Sequence, residues 1–91
     1  MIPDTPDPLP NAAEAQIESS ILGLTRERGP GKSICPSDVA RTMQPNWQVL
    51  LPVVRRVAVR LALDGKIEIT RKGRAIDPLT MKGVIRLRTV T

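Results

Sequence analysis

The chain has 91 residues, of which 41% are hydrophobic, with a single cysteine and no histidine. This length fits one small domain with one core and leaves no room for a deep catalytic cleft between lobes. The sequence has no apolar run near the roughly 18 residues of a membrane span, no secretory signal pattern at its start and no partner for an internal disulfide. We therefore expect a cytoplasmic protein that does not enter a membrane.

The net charge of +5 is distributed unevenly along the chain. Residues 1–30 carry five acids and two arginines, whereas residues 31–91 carry twelve Lys and Arg against four acids. A basic balance of this kind favours a polyanionic partner, most often nucleic acid. Many basic domains bind no polyanion, so charge alone leaves both interpretations open.

The N-terminal residues predict a tail followed by a helix. Residues 1–10 contain four prolines and two aspartates, a composition that favours a disordered or extended segment, and residues 11–91 then form the single domain. Asn11 and Glu14 approach a capping box and predict the start of the first helix. Glu14 and Glu18 lie one turn apart, and we expect them on a solvated face. An apolar stripe with helical spacing is formed by Ile17, Ile21, Leu22 and Leu24.

A second, shorter helix is predicted over residues 35–43. Cys35 occupies the cap position and Pro36 the first helical position, where proline is favoured. Ile34, just before it, is expected in a very short strand. We interpret Cys35 as a buried structural residue, because the chain has no histidine to act as its base. One cysteine without histidine also argues against a zinc site, and we expect no metal or cofactor.

The third predicted helix, over residues 47–64, follows a turn at residues 44–46. Pro52 should separate a short first turn, residues 47–50, from the main body of the helix. Trp47 is the only aromatic residue, and its place on the apolar face predicts a core anchor. The remaining apolar positions on that face are Leu50, Leu51, Val54, Val57, Ala58 and Leu61.

Alternating residues predict strands over residues 66–70 and 84–88. Between them, the sequence permits either one long wing or a short hairpin closed by Lys72 and Gly73 and followed by an extra strand. Three helices followed by a small antiparallel β wing predict an α+β, mainly α fold of the winged helix-turn-helix type. Such folds usually lay the second helix of the pair in a DNA groove.

Several segments together resemble a bacterial family, the domain of unknown function 3253. They are residues 31–41 (GKSICPSDVAR), Trp47, residues 51–55 (LPVVR), Asp64-Gly65, Asp77-Pro78 and residues 82–88 (KGVIRLR). The resemblance covers roughly residues 14–88 and implies a small winged-helix-type domain with no established activity. Val84 stands where that pattern leads us to expect proline, which affects only local strand geometry.

The candidate DNA-binding residues lie on the outer face of the third helix and on the wing. Arginine and glutamine read base edges in the major groove, and wing cations grip phosphate or the minor groove. The candidates are Gln48, Arg55, Arg56, Arg60, Arg71, Lys72 and Arg74. Without Phe or Tyr the chain has no stacking platform for single strands, so we expect duplex DNA as the partner.

Apolar residues on the same side of the helix support a different function. Val49, Val59 and Leu63 also face outward, and they favour a homodimer or a protein-interaction module that binds no DNA. An enzyme is the least favoured class, because the sequence offers no convincing pair of nucleophile and base.

Overall fold

The computed structural model of the chain describes residues 8–43, 45–80 and 83–90, with side chains from Glu14 onward. The elements are helices α1 (Pro8–Arg28), α2 (Pro36–Arg41) and α3 (Leu51–Leu63), strands β1 (Ile67–Arg71), β2 (Arg74–Ala75) and β3 (Arg86–Thr89), and 3-10 turns at Trp47–Leu50 and Pro78–Thr80. These helices and the small antiparallel sheet confirm the predicted α+β, mainly α fold. In the described ranges, no helix combines the length and apolar character needed to cross a membrane.

Helix α1 begins three residues earlier than the sequence predicts. It starts at Pro8 rather than Asn11, inside the segment predicted to be a tail. Proline is tolerated there because the N–H groups of a first helical turn have no acceptor within the helix. Residues 1–7, the rest of that predicted tail, lie outside the described residues.

The two-part form of the third helix is confirmed. Trp47–Leu50 is a 3-10 turn, and α3 begins at Leu51 with Pro52 in its first turn. Trp47 packs at the edge of the core and remains half-buried, and the Arg41 guanidinium lies 5.0 Å from its ring centroid. The helix before it, α2, ends at Arg41, two residues earlier than predicted.

Helix α3 ends in a Schellman motif centred on Gly65. The Lys66 N–H donates to the Leu61 carbonyl at 2.9 Å, and the Gly65 N–H donates to the Ala62 carbonyl at 3.0 Å. Gly65 has a φ of 75°, in the left-handed region that this motif requires of its terminal residue.

Replacing Gly65 with alanine should therefore destabilise the protein. The cost should be about 1 kcal/mol, because a side chain in the left-handed region is strained. Gly23→Ala is the matched control: Gly23 lies within α1 and a Cβ there would meet nothing within 4 Å, so we expect a gain of up to about 1 kcal/mol. Urea unfolding measures both changes, and a shift of the same sign in the two variants would contradict this account.

The sheet resolves the alternatives for the wing in favour of a short hairpin. Strand β1 pairs with β2 through Arg71↔Arg74 and with β3 through Ile69↔Leu87, giving the order β2–β1–β3. Ile34 adds a bridge to Leu87 through two backbone hydrogen bonds of 2.8 Å, as the predicted short strand requires. This order of elements and pairing is compatible with a winged helix.

One core joins the three helices to β1 and β3. Its buried apolar residues are Ile17 and Ile21 of α1, Val39 and Ala40 of α2, Val54, Val57, Ala58 and Leu61 of α3, and Ile34, Ile67, Ile69, Ile85 and Leu87 of the strand region. The predicted apolar faces of α1 and α3 are thereby confirmed in their central parts, while their flanking residues, such as Leu22 and Leu50, are half-buried.

Arg86 fastens β3 to the segment before α2. Its guanidinium donates to the Ser33 hydroxyl at 2.6 Å, to the Ser33 carbonyl at 3.0 Å and to Cys35 Sγ at 2.9 Å. Cys35 is half-buried rather than fully buried, and its N–H donates to Asp38 Oδ2 at 2.9 Å at the start of α2. These contacts connect Cys35 to β3 and to the first turn of α2, which is consistent with a structural role.

Candidate nucleic-acid interface

Three of the predicted contact residues lie at the tip of the β1–β2 hairpin. Arg71 and Arg74 form the last pair of the two strands, and Lys72 and Gly73 connect them. Lys72 has a φ of 53° and Gly73 a φ of 81°, and positive φ at both central residues is typical of a type I′ hairpin turn. All three cationic residues are exposed.

The hairpin tip holds its cations in an arrangement that is unfavourable by itself. Arg71 lies directly opposite Arg74 in the strand register, with Lys72 next to Arg71. Like charges directly opposite one another on paired strands repel and destabilise a hairpin. An anion bound at this tip would relieve the repulsion.

Arg55 of α3 and Arg71 of β1 converge on Gly83. Arg55 Nη2 donates to the Gly83 carbonyl at 3.4 Å, and a Cβ on Gly83 would lie 3.8 Å from Arg71 Nη2. We call Arg55, Arg71 and Gly83 the Gly83 junction. The junction brings Arg55 of the helix beside Arg71, which lies next to Lys72 and opposite Arg74 at the hairpin tip. We call Arg55, Arg71, Lys72 and Arg74 the cationic surface.

The other two helix arginines are paired with α1. Arg56 Nη2 lies 2.8 Å from Glu14 Oε2, Arg60 Nη1 lies 3.4 Å from Glu14 Oε1, and Arg60 Nη2 lies 2.7 Å from Glu18 Oε1. We call these four residues the α1–α3 ion-pair network. Glu14 and Glu18, expected on a solvated face, therefore have defined partners on α3.

The network lowers the pKa of Glu14 below its ordinary value of 4.5. The hydrogen bond from Arg56 is the largest cause, partial desolvation opposes it, and the charges of Arg56 and Arg60 lower the pKa further. Because the pKa of Glu14 is lowered in the folded protein, the ion pair of Glu14 with Arg56 stabilises the fold at pH values above the ordinary glutamate pKa. The stabilisation is lost as the pH falls through the lowered value.

Arg56→Ala should raise the pKa of Glu14 towards 4.5, because it removes the largest cause of the shift. Titration of the Glu14 side-chain carboxyl by NMR measures this directly. Arg26→Ala, at an exposed position elsewhere on α1, should leave the Glu14 pKa unchanged. An unchanged pKa in Arg56→Ala would show that the pair does not form in solution.

The remaining residues of the predicted helix face are separated along it. Gln48 is exposed in the 3-10 turn before α3. Val49 and Leu63 are 62% and 57% exposed, whereas Val59 is half-buried against the core. Val49 lies in the 3-10 turn before α3, and Leu63 is the last residue of α3. The apolar surface of the alternative interpretation is therefore spread along the helix.

Two features of this site have no local signal in the sequence. The pairing of α1 with α3 joins residues 42 to 46 positions apart, and the approach of Arg55 to Gly83 spans 28 positions. Both depend on how the elements pack. Lys82, the residue before Gly83, lies outside the described residues.

The described residues contain no group of three His, Cys, Asp or Glu side chains arranged to hold a metal ion. A family model described as "Protein of unknown function (DUF3253)" matches residues 14–90. The chain matches none of the curated proteins with which it was compared. The family description gives no activity, so an assignment of function has to come from the surface itself.

Proposed function

The chain belongs to the DUF3253 family, and from its surface we propose that it is a non-enzymatic winged-helix domain that binds duplex DNA. The observation that carries this proposal is the Gly83 junction, where Arg55 and Arg71 lie beside the same residue. A helix and an adjacent cationic hairpin are the two elements with which winged helices usually hold a duplex.

The hairpin in this proposal holds the DNA backbone. Arg71, Lys72 and Arg74 are exposed within four consecutive residues, and side chains of this type bind phosphate oxygens and fix the position of a protein on the duplex. Arg55, at the inner end of this cationic surface, extends the phosphate contact to α3. Each such contact releases counterions and makes binding depend on salt.

The helix contributes fewer base contacts than the sequence suggested. Arg56 and Arg60 are engaged by carboxylates and Arg55 is assigned to the phosphate backbone, which leaves Gln48 as the base-reading candidate of the original set. Specific recognition usually uses several bidentate contacts to base edges, each discriminating by about 1–3 kcal/mol. We therefore propose binding that rests mainly on the phosphate backbone, with weak sequence preference.

The direct test is fluorescence anisotropy of a labelled duplex titrated with the protein at several salt concentrations. We expect saturable binding near about 50 mM salt that weakens steeply towards about 200 mM. A single strand of the same length should bind more weakly, because the chain has no Phe or Tyr for base stacking. Absence of duplex binding near about 50 mM salt would refute the proposal.

The exposure of Val49 and Leu63 favours one second candidate, a homodimerisation or protein-interaction module. In a dimer, such side chains would be buried against the partner copy, and the removal of their apolar area from water would stabilise the dimer. Size measurement over a range of protein concentrations, with Val49→Ser/Leu63→Ser as the variant, separates the two functions. A dimer that this variant disrupts, in a protein without DNA affinity, would favour the second candidate.

A further inference from the structure

The α1–α3 ion-pair network places two pairs of charges with helical spacing face to face. Glu14 and Glu18 are one turn apart on α1, and Arg56 and Arg60 are one turn apart on α3. Glu14 contacts both arginines, and Glu18 contacts Arg60. Two carboxylates thus neutralise two guanidinium groups that belong to the outer face of α3.

The arginines of the network are still accessible from solvent. The Arg56 and Arg60 side chains are 61% and 48% exposed, whereas those of Glu14 and Glu18 are only 22% and 31% exposed. A phosphate group can therefore reach the guanidinium groups, but it has to compete with carboxylates already in contact with them. Those carboxylates act at high effective concentration, because α1 packs against α3 in the same chain.

From this geometry we infer that Glu14 and Glu18 are an internal competitor for the DNA backbone, which weakens duplex binding by occupying Arg56 and Arg60. This inference rests on the proposed DNA binding. The protein then holds DNA through the Gly83 junction and the hairpin tip, while the network keeps two further cations out of the contact. Removing the two carboxylate charges should free Arg56 and Arg60 to contact DNA and so strengthen binding.

Glu14→Gln/Glu18→Gln is the test variant, measured by duplex anisotropy over a salt series. The amides keep the size of the side chains and remove both charges, and exposed ion pairs of this kind contribute little to stability. We expect affinity to rise by at least about threefold near about 50 mM salt. The slope of log K against log salt should steepen by about one to two, since each new phosphate contact adds about 0.9 to it.

Two further variants have the same net charge as the wild-type protein, and they separate the effect of a direct contact from the effect of overall charge. Adding Arg56→Ala/Arg60→Ala to the test variant should return affinity and slope to the wild-type values. Adding Arg26→Ala/Lys66→Ala instead removes the same charge from exposed positions outside the network and should leave the gain intact. Circular dichroism melts confirm that each protein is folded at the temperature of the titration.

The outcomes distinguish the internal competitor from the proposed DNA binding on which it rests. Wild-type protein that binds duplex with the same affinity and slope as Glu14→Gln/Glu18→Gln would overturn the internal competitor and leave DNA binding in place. A gain that Arg26→Ala/Lys66→Ala cancels as fully as Arg56→Ala/Arg60→Ala would overturn it too, since the effect would then be one of net charge. If neither the wild-type protein nor any of the variants binds duplex DNA, both the proposed DNA binding and the internal competitor are refuted.

Discussion

Leu87→Ala should destabilise the protein by about 2–5 kcal/mol, the usual cost of removing a leucine side chain from a packed core. Leu87 is fully buried in β3, opposite Ile69 in the register and bridged to Ile34. It therefore lies where the sheet and the segment before α2 meet. For a domain of this size the total stability is of order 5–14 kcal/mol, so this one change removes a large share of it.

Leu79→Ala is the matched control for this prediction. Leu79 is 72% exposed in the second 3-10 turn, and substitutions at such positions usually change stability by less than about 0.5 kcal/mol. Urea unfolding of both variants gives the two changes as shifts of midpoint at a shared slope. Equal shifts in Leu79→Ala and Leu87→Ala would contradict the placement of the core.

Arg55→Ala/Arg71→Ala should lower affinity for duplex DNA by about tenfold or more near about 50 mM salt. Both side chains of the Gly83 junction are removed, and with them the link between the helix and the hairpin. The salt dependence should also become shallower by about one to two in log–log slope, because two phosphate contacts are lost. Stability should change little, since the Arg55–Gly83 hydrogen bond is long and exposed.

Arg26→Ala/Lys66→Ala removes the same charge without touching the Gly83 junction. Arg26 is exposed on α1. Lys66 is exposed just before β1, and Arg71 is the last residue of that strand. At the usual rise of a strand, Lys66 and Arg71 are about 16 Å apart. We expect this variant to keep most of the wild-type affinity. Equal losses in the two double variants would mean that net charge, not the junction, decides binding.

The elements of the fold with strong local signals were predictable. The 3-10 turn at Trp47–Leu50, the start of α3 beside Pro52 and the glycine-terminated end of that helix all follow from residues next to one another in sequence. Apolar periodicity likewise identified the buried positions of the helices, such as Ile17 and Val54. In each case the local conformational preference and the packing agree.

The start of α1 and the form of the wing were not determined by local signals. Pro8 is compatible with either a tail or a first helical turn, and the packing of the rest of α1 onto the core decides for the helix. The segment after Gly73 is compatible with a long wing or a short hairpin, since β3 can pair with β1 in either form. The pairing of Arg71 with Arg74 across Lys72 and Gly73 makes it a hairpin. The start of α1 thus depends on contacts distant in sequence, whereas the residues of the turn allow both forms of the wing.

The candidate site was predictable in its residue types but not in its grouping. The sequence placed seven polar and cationic residues on two elements, and it could not distinguish Arg55 from Arg56, which are adjacent along the chain. Packing separates them: Arg55 turns towards Gly83, and Arg56 turns towards Glu14. A difference of about 100° around a helix axis thus decides which partner each arginine meets.

The most direct test of the central claim is to map where DNA contacts the protein, by following backbone amide chemical shifts while duplex is added. We predict the largest changes at Arg55, at residues 71–74 and at Gly83, with little change around Arg26 on α1. Changes centred on Arg26 or on Leu63, or no changes in the cationic surface at concentrations where anisotropy reports binding, would contradict the account.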